Sequence, residues 1–203
     1  MINMKKGDAP VPLAKSSGIT ARMRWDSSTD YDLHALILRT NGTVEHVATF
    51  GADDVPPQMS TADGAVKHLG DVGRDHQGTA EEVIEIALND TIRAVVPVAY
   101  SAQSNGTGSF FRYGVTLEID NGTAGDRVVI AAENASDDDL VYTCVPGMIE
   151  NAPDAVVVHA LELYSSPDSE SRPTLRLQRG GLMRKGPEEV RVVMDKGPWN
   201  HHK

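Results

Sequence analysis

The sequence predicts an all-β fold, an antiparallel β-sandwich of two packed sheets, and three observations carry that prediction. Apolar residues recur with period two rather than 3.6. Asn-Gly pairs and other turn-forming residues punctuate the chain at short intervals. No segment sustains the helical repeat that would supply the crossover helices of a parallel α/β sheet. The 18 glycines and 11 prolines are spread as punctuation, which suits many short elements joined by turns. With 203 residues, 40% of them apolar, the chain is read as one domain over residues 1–203 with its own core.

Taken in order, Ile19, Ala21, Met23 and Trp25 alternate with Thr20, Arg22 and Arg24, the signature of a half-buried strand. Residues 35–39 and 44–50 flank Asn41-Gly42 and read as a hairpin, because both central residues of a type I′ turn need positive φ. Strands follow at 65–69, 83–88 and 93–101; Pro97 lacks an N–H to donate, which predicts a sheet edge or a bulge in the last of them. Val115, Leu117 and Ile119 alternate with polar residues, and Asn121-Gly122 joins 113–119 to 127–131 as a second hairpin with a longer loop. The apolar run 140–145 holds Cys144, read as a buried structural thiol. Strands at 154–164, 174–178 and 190–194 complete the set. Residues 51–62, with Pro56-Pro57, and 165–173, with Ser165-Ser166-Pro167, are expected to be surface loops, and the final few residues to be disordered.

A formal net charge of −10 and a pI near 5.1 argue against nucleic acid as a partner, since phosphate binding needs a basic surface. The same charge serves solubility or cation attraction. One cysteine rules out an intrachain disulfide framework, a cysteine-based zinc site and a CxxC redox pair. No apolar h-region follows the first lysines and no run approaches 18 apolar residues, so the expectation is a cytoplasmic protein without a membrane span. Nucleophile elbows and metalloprotease motifs are missing, and the glycine-rich Asn105–Ser109 stretch lacks the lysine of a P-loop; the chain is expected not to be an enzyme. Histidines 34, 46, 68 and 76 show no zinc spacing, and His34 reads as a satisfied core histidine.

The chemistry-bearing residues are acids. Asp26, Asp30 and Asp32 fall within seven residues, Asp63 precedes Gly64, Asp71 follows Gly70, and Glu81 adjoins Glu82. Carboxylates brought close repel unless they are solvated, protonated or neutralised by a cation, and calcium, which takes six to eight oxygen ligands, is a natural counter-ion. The competing reading has the aspartates satisfying turn amides. An EF-hand is excluded by the spacing. Asp137-Asp138-Asp139 reads as a solvated loop.

The succession Lys6-Gly7, Leu13, Trp25-Asp26, Asp32-Leu33 and Asp63-Gly64-Ala65-Val66-Lys67-His68-Leu69-Gly70-Asp71 resembles the TerD family of tellurite-resistance and stress proteins. That family's pattern is WD, DLD, DGSVxHxGDN and an acidic GDDE before an apolar strand, whose place Glu81-Glu82-Val83-Ile84 takes here. The likeness covers roughly residues 1–120. It departs at His34, for the second aspartate of DLD, at Val72 and Ala80, and at Arg74-Asp75, which replace a threonine-glycine step. The resemblance implies a β-sandwich that binds Ca2+ through acidic loops: a non-enzymatic calcium-binding module of a bacterial stress or tellurite-resistance system, with other stress-response proteins as partners. The candidate ligand set is Asp26, Asp32, Asp71, Glu81 and Glu82, one glutamate bidentate, with backbone carbonyls of residues 72–78 and waters; Asp75, inside the departing loop, joins it as a ligand restored from a shifted position. Two alternatives stand beside it. One is a metal-free interaction scaffold in which Arg74 and His34 take the ion's place; the other is a metal-dependent hydrolase using the same acids.

Overall fold

The computed structural model describes residues 1–16, 18–26, 29–73, 76–102, 110–122, 126–133, 138–179 and 188–201. Fourteen strands and no helix are found among them. Six form sheet A, in the order β1 (Ile2–Met4), β10 (Arg127–Ala131), β9 (Thr116–Asp120), β3 (Ile19–Trp25), β7 (Ala80–Ile86) and β6 (Val66–His68). Six form sheet B, in the order β2 (Val11–Leu13), β12 (Val156–Tyr164), β11 (Thr143–Asn151), β8 (Ile92–Tyr100), β4 (Asp32–Arg39) and β5 (Val44–Val47). All pairings are antiparallel except β1 with β10. The two sheets pack as a sandwich, and a separate hairpin, β13 (Thr174–Arg179) with β14 (Glu188–Val193), lies over sheet B.

Period two decides which side chains enter the sandwich. On β3, Ile19, Ala21, Met23 and Trp25 are buried, and on β7 Ala80, Glu82, Ile84 and Ile86 are; the residues between them face outward. From sheet B, Leu33, Ala35 and Ile37 of β4 join the same core. Their neighbours Leu36 and Leu38 are also fully buried, in a second apolar cluster closed by Leu175 and Val190 of the β13–β14 hairpin. Both Asn-Gly hairpins form, β4–β5 and β9–β10, with Gly42 at φ +87° and Gly122 at φ +73°, a region that costs glycine little.

One expectation holds in one of its two forms, and two are corrected. Pro97 marks a bulge and not an edge: β8 is an interior strand between β4 and β11. Its missing N–H is met by an irregularity in β11, which advances five residues, Cys144 to Ile149, while β8 advances four, Ala99 to Val95. Second, β11 extends to Asn151, beyond the run that ended at Val145, because Pro146 and Gly147 mask the pattern at the bulge. A Cβ at Gly147 would come within 2.5 Å of Ile130 Cδ1 on the facing sheet and 2.8 Å of the His159 carbonyl on the neighbouring β12, and that main-chain contact makes the bulge a place for glycine. Third, residues 51–62 and 165–173 are not simply surface loops. The segment 197–201 runs between them, with Gly197 and Asn200 N–H groups donating to the Arg172 and Glu170 carbonyls and the His201 N–H to that of Gly51. Ala52, Glu170, Arg172 and Asn200 are buried as a result.

Candidate metal centre

Three of the acids singled out in the sequence meet at one end of the sandwich. Asp32 opens β4, Glu82 points inward from β7, and Asp71 lies in the loop after β6. Each offers a carboxylate oxygen within 4.8 Å of the others. Asp32 and Glu82 are fully buried, whereas Asp71 is exposed and leaves the cluster open to solvent on its side. Two oxygens bound to one calcium at about 2.3–2.6 Å can be no more than about 5 Å apart, so the spacing suits a shared ion of that size. The cluster is capable of coordinating a divalent cation.

The sheet geometry explains the convergence. Glu82 sits at an inward position of β7, where its neighbours are Ala80 and Ile84; only a charge with strong partners is tolerated there. Those partners are backbone groups of the other two elements. Glu82 Oε2 accepts the Leu33 N–H at 2.6 Å, and Oε1 accepts the Val72 N–H at 3.2 Å. Glu82 therefore ties β4 to the loop that carries Asp71, and each oxygen keeps a lone pair for a cation.

His68 supports the same arrangement without being a ligand. Its Nδ1 accepts the Gly70 N–H at 3.0 Å, which places the ring proton on Nε2. That proton faces the Leu33 carbonyl at 2.8 Å, with Glu82 Oε2 at 3.4 Å. Both nitrogens are engaged, so the donor set on offer is all oxygen, the set preferred by hard cations such as Ca2+ and Mg2+ over zinc or copper.

Of the remaining sequence candidates, the two that lie among the described residues, Asp26 and Glu81, are not part of this cluster. Asp26 is exposed just past β3, its N–H donating to the Tyr113 carbonyl at 2.8 Å. Glu81 faces outward from sheet A, paired with Arg24 at 2.5 Å and within 3.9 Å of Arg22. The reason is the strand period: Glu81 and Glu82 are adjacent and must point to opposite faces. Asp75 and Arg74 lie outside the described residues, as do 105–109 and Asp137. Asp63 sits at the far end of β4, gripped by Arg39 at 2.8 and 3.2 Å and accepting the Ala65 N–H, a turn role. Arg39 holds its carboxyl well below the usual carboxylate range. Cys144 is fully buried, and burial pushes its thiol far above the range in which a thiolate could act. No helix among the described residues is long and apolar enough to cross a membrane.

The part played by Leu33 and Val72 is invisible in a sequence, because it is their main chain that orients Glu82. Comparison with protein-family models and with curated proteins returns no match for this chain.

Proposed function

We propose that this chain is a TerD-like calcium-binding module, non-enzymatic, in which the ion ties the acid-rich loops at one end of the sandwich into a surface for another stress-response protein. The observation that supports this reading is the convergence of Asp32, Asp71 and Glu82 from three separate elements onto one point. Asp32 and Glu82 bring two buried carboxylates together, an arrangement that a divalent cation stabilises strongly. Oxygen-only donors and one solvent-open side match calcium's preference for carboxylates supplemented by carbonyls and water. The TerD-like order of Trp25-Asp26, Asp32-Leu33 and Asp63 to Asp71 adds the family and its stress-response setting.

The experiment is a thermal melt of chelator-stripped protein with and without millimolar Ca2+ or Mg2+, repeated on Asp32→Asn and Glu82→Gln. Calcium is expected to raise the Tm of the parent protein and of neither variant, with magnesium weaker. An unchanged Tm in calcium removes the calcium reading and leaves the metal-free scaffold.

A further inference from the structure

On the outer face of sheet B, a second cluster of buried polar groups has the opposite character. Arg172 is fully buried. Its Nε donates to Asn200 Oδ1 at 2.5 Å and its Nη2 to the Phe50 carbonyl at 2.8 Å, while the guanidinium lies 4.8 Å from the Phe50 ring centroid. Its Nη1 is buried with no hydrogen-bond partner, and no carboxylate lies within ion-pair distance of it among the described residues. The buried acid nearest in sequence, Glu170, bears on the Tyr100 phenol, whose hydroxyl is pushed upward first by burial and then by Glu170, with Arg172 acting on it in the opposite sense.

The groups around this guanidinium are likewise unsatisfied. Asn200 Nδ2, the amide nitrogen beside the oxygen that Arg172 uses, is buried and partnerless. His34 is fully buried with neither ring nitrogen bonded, its ring 5.5 Å from that of Phe50. His46 Nε2 is buried and unbonded as well. His46 stands opposite Leu36 on the paired strand, so it shares the outer face with His34. The expectation that His34 is a satisfied core histidine is thus corrected: it is buried, but on the outer face and without a partner.

Two of these atoms, Arg172 Nη1 and Asn200 Nδ2, can only donate, and each imidazole carries one N–H. Water would satisfy hydrogen bonds but not the charge of a buried guanidinium, which costs several kcal/mol when unpaired. We infer that this cluster is a binding site for a small inorganic anion, held by Arg172 Nη1 and Asn200 Nδ2 with His34 and His46 around it, and closed over by residues 197–201. The closing segment packs tightly on the main chain of Arg172: a Cβ at Gly197 would fall 2.6 Å from the Arg172 carbonyl. Burial, which lowers Arg172 to about 10, agrees with a guanidinium lacking a protein counter-charge. The inference does not rest on the function proposed for the acidic cluster, although Asp32 and His34 share one face of β4.

Two measurements test this. Crystals grown in sodium bromide should show an anomalous peak at Arg172 Nη1, and waters or empty density there instead would overturn the proposal. Thermal melts in increasing sodium phosphate should raise the Tm of the parent by about 5–10 °C once phosphate reaches a hundredfold excess over its Kd. That slope should vanish in Arg172→Met and shrink in the milder His46→Phe, which keeps the guanidinium and its two bonds. Equal slopes in parent and His46→Phe, together with a blank bromide map, would reduce the phosphate effect to general salting and sink the idea.

Discussion

The outer faces of the two sheets are treated differently, and the contrast locates the chemistry. Sheet A meets solvent. Between its inward apolar residues β3 presents Arg22 and Arg24, and these pair across the sheet with Glu81 and Glu118, while Arg127 pairs with Asp120 at 2.8 Å. The central strands of sheet B are covered on both faces: every residue of β4 is buried, as are the first seven of β11 and all but one of β8. A polar side chain on sheet A finds water or a neighbouring charge. One on sheet B must find a partner inside the protein, and the buried, partnerless atoms of His34, Asn200 and Arg172 all lie on its covered face. Covering a sheet therefore turns ordinary polar residues into demanding ones, and the rim where the sheets meet, at Asp32 and Glu82, shares that property.

The contrast can be broken by mutation. The largest effect is expected where the hairpin closes sheet B: Leu36→Ala should cost about 2–5 kcal/mol in chemical denaturation, since it opens a cavity between β4 and the β13–β14 hairpin. A loss under 1 kcal/mol would mean that the hairpin does not seal that face. Next comes pH. His46 is pushed down to about 4, first by burial and then by Arg172, so the folded state keeps it neutral while the unfolded chain takes up a proton near its ordinary value of about 6.5. A depressed folded value contributes stability that is fully present above about pH 6.5 and is lost as pH falls through 4. The loss should approach 3 kcal/mol across that window at about 1.36 kcal/mol per unit, and His46→Gln should flatten it.

Calcium sharpens the comparison at the rim. Saturation at a hundredfold excess over Kd should add about 2.7 kcal/mol in the parent and nothing in Glu82→Gln, read by denaturant midpoints. On the open face the expectation is small: Arg24→Ala removes an exposed pair with Glu81 worth at most about 1 kcal/mol, while the buried Glu118 keeps Arg22 and Arg127 as partners, and salt should erase the difference. A larger loss would show that the charge ladder of sheet A supports the fold in its own right.

Legibility in the sequence followed the same division. The alternation of β3, with Ile19 to Trp25 inward and the arginines outward, is readable because one face is wet and the other dry. The hairpins at Asn41-Gly42 and Asn121-Gly122 are readable because positive φ is a local demand. The interior strands of sheet B were harder: Pro97 and Gly147 carry edge and turn signals that only a bulge between β8 and β11 reconciles. Of the acids, Asp32, Asp71 and Glu82 were visible as candidates, and so were Asp26, exposed just past β3, and Glu81, which the strand period sends to the outer face.

By itself the sequence determined the all-β class, the turns and the set of residues from which an acidic site could be drawn, since these depend on side-chain period and backbone preference within a few residues. The tertiary structure alone decided which acids meet, that Leu33 and Val72 hold Glu82 by their main chains, and that Arg172 lies buried beneath the segment 197–201. Those outcomes depend on pairings between residues tens of positions apart, whose register is set by packing two sheets and a hairpin together rather than by any local pattern.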